Sequence, residues 1–244
     1  MKKLNDDVFQ RVYVKEAFEQ IASTYDRGRR IWYEIILLLI QNMENIGGYI
    51  ADIGCGTGKN TVELAKMDDT IGLDISKNMV KILRRRAYRK KISERIYPIV
   101  ASMMLLPFRK NIFKAVTLLA TIHNVPGKQN REKAFKELWR TCRSKCIIIV
   151  TAWKLFYPKN FLKALFYWLR YRYTFGDAFV EWRKEDKVIY RFYHFFTRGE
   201  LATLIKKHGF KILKIFVWSP KKKILKDNIV VIAVKNDEKG YVSS

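Results

Sequence analysis

One heptapeptide constrains this chain more than any other feature. Asp52-Ile53-Gly54-Cys55-Gly56-Thr57-Gly58 follows the apolar run Tyr49–Ile53 and precedes a helix-like stretch from Asn60 to Lys66. Alternate glycines at a strand-to-helix junction permit a tight turn with positive φ and let a ligand approach the backbone closely. A carboxylate, Asp52, ends the strand. A second, Asp74, ends the next apolar run, Thr70-Ile71-Gly72-Leu73. An acid at that place suits the two hydroxyls of an adenosine ribose. Lys59 is followed by Asn60 rather than Ser or Thr, so the loop does not complete the phosphate-binding P-loop pattern.

The remainder alternates in the manner of an α/β protein. Helical spacing of Val8, Val12, Val14, Phe18 and Ile21 predicts a helix over Val8–Ala22, and a second runs from Ile31 to about Asn45 before Gly47-Gly48 stops it. Helices are expected at Lys77–Lys90, Glu132–Arg143 and Arg198–His208. Strands are expected at Tyr97–Val100, Ala115–Ala120, Cys146–Thr151, Lys211–Val217 and Asn228–Val234. This alternation implies a mostly parallel sheet with helices on both faces. One domain is expected: N-terminal helices over 1–46, a ligand-binding core over 47–156, an insertion over 157–196, and a terminal helix and strands over 197–244. The insertion reads as the least regular part, rich in aromatic and basic residues.

The charge is lopsided. Lys+Arg number 48 against 23 Asp+Glu, a formal net charge of +25, which favours an anionic partner, nucleic acid or an acidic membrane surface. Basic residues crowd Lys81–Arg95 and recur at Lys206-Lys207 and Lys221-Lys222-Lys223. Cys55, Cys142 and Cys146 form no paired framework and, with three histidines, no closed zinc site, so reduced thiols and no metal are expected. The N-terminus lacks the apolar run of a secretory signal, and Ile35–Ile40 is too short to span a bilayer. A cytoplasmic protein without stable membrane insertion is expected.

The pattern Asp-x-Gly-x-Gly-x-Gly with an acid after strand two resembles the class I S-adenosylmethionine methyltransferases, which implies their Rossmann-like α/β fold. By that resemblance Gly54, Cys55, Gly56, Thr57 and Gly58 cradle the methionine end of the cofactor, and Asp52 approaches its amino group directly or through water. Asp74 binds the ribose, Ile75 flanks the adenine, and Ser102 with Met103, ahead of Leu106-Pro107-Phe108, completes the adenine side.

Other segments are similar to the tRNA wobble-uridine carboxymethyl methyltransferases, which esterify 5-carboxymethyluridine in the anticodon. These are Tyr13–Asp26 with Arg29-Arg30-Ile31-Trp32, Thr121–Val125, and the helix Arg131-x-x-Ala134-x-x-Glu137-Leu138-x-Arg140. Asp177–Trp182 and Tyr190-Arg191-Phe192-Tyr193-His194 continue the likeness. The resemblance implies a tRNA anticodon arm as substrate and a small zinc-binding activator protein as partner. A carboxylate acceptor is already ionised at neutral pH, since carboxyl groups titrate near pH ~4. It needs orientation and desolvation more than a base. Arg29, Arg30 and Arg191 are candidates to fix it by charge-assisted bonds. Tyr193 and His194 are candidates to position the uracil or ribose, and His123, after strand four, to face the substrate. A small-molecule or quinone methyltransferase of the same fold, resting on an anionic membrane through an interfacial helix within Phe161–Leu169, is the alternative.

Overall fold

A computed structural model describes residues 13–27, 30–43, 47–184, 187–220 and 226–236. Arg29, the Val8–Val12 start of the first expected helix and Lys221-Lys222-Lys223 lie outside them. Seven strands form one sheet: β1 (Tyr49–Ile53), β2 (Thr70–Asp74), β3 (Ile96–Val100), β4 (Phe113–Leu118), β5 (Cys142–Trp153), β8 (Phe210–Trp218) and β9 (Asn228–Lys235). Their order is β3-β2-β1-β4-β5-β9-β8. The first five pair in parallel, while β9 runs antiparallel to both β5 and β8. Strands β1, β2 and β4 are buried along nearly their whole length, as required of parallel strands covered on both faces.

Helices α1 (Lys15–Ile21), α2 (Tyr33–Asn42), α3 (Lys59–Ala65), α4 (Lys77–Arg89), α5 (Lys128–Thr141) and α7 (Arg198–Lys207) accompany the sheet. One core layer centres on Phe113, Phe135, Leu138 and Ile148, and the other on Ile35, Leu39, Ile50 and Ile149. The strand order reverses between β1 and β4, and ligands of open α/β sheets bind in the crevice at such a switch point, beyond the carboxyl ends of the strands. The glycine loop leaves β1 at that point.

The insertion departs from expectation. It is regular: a helix, α6 (Pro158–Tyr171), followed by the antiparallel pair β6 (Asp177–Lys184) and β7 (Lys187–His194). Aromatic residues fall on both faces of these strands, so the period-2 alternation that marks a strand is hidden in the sequence. The hairpin is not part of the main sheet. Its base is tied to the end of β5, where the Phe196 N–H donates to the Trp153 carbonyl and the Leu155 N–H to the Phe196 carbonyl. Among the described residues no helix is long and apolar enough to cross a membrane.

Candidate active site

A cleft opens at the switch point, lined by Gly54, Gly56, Asp74, Ile75, Ser102, Met103, Ala120 and Thr121, and also by Phe18, Tyr25, Asn124 and Val125. Against it, sharing Tyr25, Gly54, Gly56 and Ala120, lies a second cavity lined by Arg30, Asp52, Cys55, Thr57, Lys59 and Asn60. The loop between them is tightly determined. Gly54 has φ of 74°, and a Cβ there would stand 2.2 Å from Thr121 Cγ2. Gly58, at φ 79°, would meet Leu83 Cδ1 at 2.2 Å.

The two acids act differently. Asp52 is buried and accepts the hydroxyls of Thr61 (2.6 Å) and Thr117 (2.9 Å). Burial raises its carboxyl above the usual range, against the pull of those two hydrogen bonds. Asp74 accepts the Gly56 N–H through one oxygen and the Ser76 N–H through the other, both at 2.9 Å. It therefore shapes the loop while lining the cleft. Burial pushes its pKa up to about 6, although both backbone bonds oppose this. The Cys55 thiol is raised well above its ordinary value, first by burial and then by Asp74 and Asp52, which leaves it a poor nucleophile.

The N-terminal segment clamps the loop from outside, a role absent from the sequence reading. The Glu19 carboxylate accepts the backbone N–H groups of Lys77 (2.7 Å) and Asn78 (2.9 Å) and the Ser76 hydroxyl (2.9 Å). A carboxylate at the start of α4 also meets the positive end of the helix dipole. Asp26 accepts from the Thr57 hydroxyl and pairs with Arg86. The Tyr25 ring packs over Gly56, whose added Cβ would be 3.2 Å away. On the far side Arg140 donates to the carbonyls of Phe108 (2.7 Å) and Leu106 (3.0 Å), while Glu137 accepts the Leu106 N–H. The Glu137-Leu138-x-Arg140 motif thus braces the turn below Ser102, whose own hydroxyl accepts the Met104 N–H.

An aromatic cluster extends from Tyr25, which lines the cleft. Tyr25 stacks on Trp182 with ring centroids 5.8 Å apart, and Trp182 Nε1 donates to the Thr24 hydroxyl. Arg191 lies over the Trp182 ring, its guanidinium carbon 4.9 Å from the centroid, and donates to the Tyr193 hydroxyl at 2.7 Å. It is 4% exposed, and its Nε has no hydrogen-bond partner. Among the described residues no carboxylate pairs with it. Tyr193 stacks on His123 at 4.8 Å. His123 is buried, and its Nδ1 receives the Trp153 N–H at 3.4 Å. Next to it, the Asn124 side chain donates to the Phe192 carbonyl.

His194 points elsewhere. Asp177 takes one ring nitrogen at 2.6 Å and Glu200 the other at 2.7 Å, so both are committed inside the protein. Burial lowers the imidazole pKa, but the bonds to Asp177 and Glu200 outweigh it and the net direction is up. The imidazolium thus links the hairpin to α7. A group whose pKa rises on folding contributes stability that is complete below its unfolded value, ~6.5, and is lost as pH climbs through the folded value. His194→Ala is expected to cost roughly 2–3 kcal/mol by leaving two acids without their donor. The cost should be larger at pH ~6 than at pH ~9 in chemical denaturation, and an equal cost at both would remove the imidazolium from the account.

Residues 51–150 match the family described as a methyltransferase domain. A solved S-adenosylmethionine-dependent methyltransferase from Methanosarcina mazei superposes with a TM-score of 0.72 at 22% identity, over 85% of this chain and 99% of that one. Residues 51–150 form a methyltransferase domain, and the chain has the fold of that solved S-adenosylmethionine-dependent methyltransferase. S-adenosylmethionine is the cofactor that the solved neighbours carry in their names, and the glycine cradle with Asp74 lining the cleft fits that molecule. Two curated relatives of this methyltransferase domain carry different substrates in their names. A demethylmenaquinone methyltransferase from Lactiplantibacillus plantarum is 26% identical over 81% of this chain and 87% of its own length. A tRNA (carboxymethyluridine(34)-5-O)-methyltransferase from Xenopus tropicalis is 31% identical over 67% of this chain, a stretch that makes up 25% of that longer protein.

Proposed function

We propose that the protein methylates the carboxylate of 5-carboxymethyluridine at the wobble position of tRNA, giving the methyl ester. The observation that carries this reading is Arg191. A buried guanidinium without an acid is costly, and one held over Trp182, whose ring stacks on the cleft-lining Tyr25, suits an anionic acceptor. S-adenosylmethionine supplies an electrophilic methyl group. The chain's own task is to hold the acceptor oxygen in line and keep water out. Arg191 and the Tyr193 hydroxyl orient the carboxylate, and the Tyr25–Trp182 pair offers a face on which an unstacked base can lie. Arg30 lines the second cavity with Lys59, which supports a role in meeting the cofactor's own carboxylate rather than the substrate's. His123 positions Tyr193 by stacking, and His194 holds the hairpin.

The exposed face of α4, with Lys77, Lys81, Arg84, Arg85 and Arg89, begins beside the cleft and supports binding of closely spaced phosphates by counterion release. tRNA affinity is expected to fall about a hundredfold between about 50 and 200 mM salt, measured by filter binding.

Helix α6 favours a second reading. Leu162, Phe166 and Leu169, four and then three residues apart, are 64%, 54% and 56% exposed, with Lys159, Lys163 and Arg170 on the same helix. Such a face suits an anionic bilayer and hence a lipid-soluble quinone. Mass spectrometry of tRNA nucleosides after incubation with S-adenosylmethionine, with and without the activator protein that the resemblance implies, separates the two. A methyl ester of 5-carboxymethyluridine supports the first reading. Its absence, with methylation of a demethylquinone in anionic liposomes, establishes the second.

A further inference from the structure

Strand β5 does not run straight along its neighbour. Cys142 stands opposite Phe113, but Ile147 stands opposite Ala115, so five steps along β5 span two along β4. The excess is taken up by a loop in which Lys145 adopts a left-handed φ of 59°, folding Cys146 back on Cys142. Both thiols are fully buried, and their Sγ atoms are 3.0 Å apart, about 1 Å beyond a disulfide bond. The backbone at the Cys142 end is held. Lys235 Nζ donates to the Cys142 carbonyl at 2.7 Å, and the Ile112 N–H donates to the Thr141 carbonyl at 2.8 Å.

We infer that Cys142 and Cys146 are a disulfide site, closed when the chain folds in the presence of a low-molecular-weight disulfide such as oxidised glutathione. One protein thiol loses its proton and its sulfur attacks the oxidant, forming a mixed disulfide and releasing one small thiol. The second protein thiol, deprotonated in turn, attacks the protein sulfur of that mixed disulfide and releases the other. Two S–H bonds are exchanged for one S–S bond, and the oxidant is reduced to two thiols. Burial raises the Cys146 thiol well above its ordinary pKa, so thiolate is scarce in the folded core and the exchange belongs to the partly folded chain. Once closed, the bond is shielded from reductant by the same burial. It would pin the bulge that sets the register of β5 against β4.

The sequence supplies its own readout. Trypsin cuts after Arg143 and Lys145, so Cys142 and Cys146 fall in separate peptides unless a disulfide joins them. Full-length protein is unfolded, refolded in a glutathione redox buffer, alkylated and digested. The expected result is one joined peptide pair lighter by two hydrogens, with alkylation confined to Cys55, in the glycine loop. The oxidised protein should melt about 4–8 °C above the reduced one. Cys146→Ala should abolish both the joined peptide and the difference in melting. Alkylation of all three cysteines after oxidative refolding of the wild type would overturn the assignment, whether or not the variant folds.

Discussion

Replacing Arg191 with methionine is expected to lower kcat/KM for methyl transfer by about 100- to 1,000-fold, while S-adenosylmethionine affinity stays within about twofold. Methionine keeps most of the apolar stem against Trp182 and removes only the guanidinium. The loss follows from taking away one member of a buried, charge-assisted pair with the substrate carboxylate, which is formed fully only when the acceptor is seated. Stability provides the control. An arginine kept for structure would lower the melting temperature when removed, through its bond to Tyr193. An arginine held without a counter-charge costs desolvation in the free protein, so the variant should melt at the wild-type temperature or above it. Arg191→Lys should recover a minor part of the activity, because an ammonium restores charge but not the planar fork. Loss of stability with retained kcat/KM would assign Arg191 to packing alone and take the carboxylate reading with it.

The features that sequence reasoning recovers here are those dictated locally. Gly54, Gly56 and Gly58 have positive φ, a requirement that selects glycine whatever surrounds it. Asp74 is visible because it interrupts an apolar run at a strand end. The class of the fold follows from the alternation of such runs. What escaped depends on contacts between distant segments. Glu19 meets Ser76, Lys77 and Asn78 across 57 to 59 residues, and nothing in its own helix marks it as a cap for another. His194 looks like a substrate-facing histidine until the hairpin register places Asp177 opposite it. Glu200, three residues past the capping Thr197, then takes its other nitrogen. The pattern Asp177…His194…Thr197-x-x-Glu200 is a signal that could have disclosed the clamp, since it sets one acid at the base of a strand and another in the first turn of the helix that follows the histidine. The cysteine pair is hidden for a different reason. Four residues apart on a regular strand they would never meet, and only the bulge at Lys145 brings them together. The zinc-binding activator rests on the resemblance alone.

Asp74 is expected to couple cofactor binding to pH. With its pKa held at about 6 by burial, the carboxylate is ionised at pH ~8 and accepts from Gly56 and Ser76, which leaves lone pairs for the ribose that the resemblance assigns to it. Protonation removes that acceptor strength. S-adenosylmethionine Kd is therefore expected to be flat above pH ~7 and to rise about tenfold per unit below pH ~6. Asp74→Ala should weaken binding by at least about a hundredfold at pH ~8, losing the ribose contact and freeing the Gly56 N–H that shapes the loop. The pH dependence below ~7 should vanish with it. Stability without cofactor must move the opposite way. Because the folded pKa lies above the ordinary carboxylate value, the folded state binds the proton more tightly. This group then favours folding increasingly as pH falls from about 6 towards 4. The difference in unfolding free energy, wild type minus Asp74→Ala, should accordingly grow over that interval while cofactor affinity declines. Calorimetric titration paired with urea denaturation reads both slopes. Parallel slopes would mean that a different group governs the cleft, since only a carboxylate whose ionised form is needed for binding yet penalised by burial gives the two trends opposite signs.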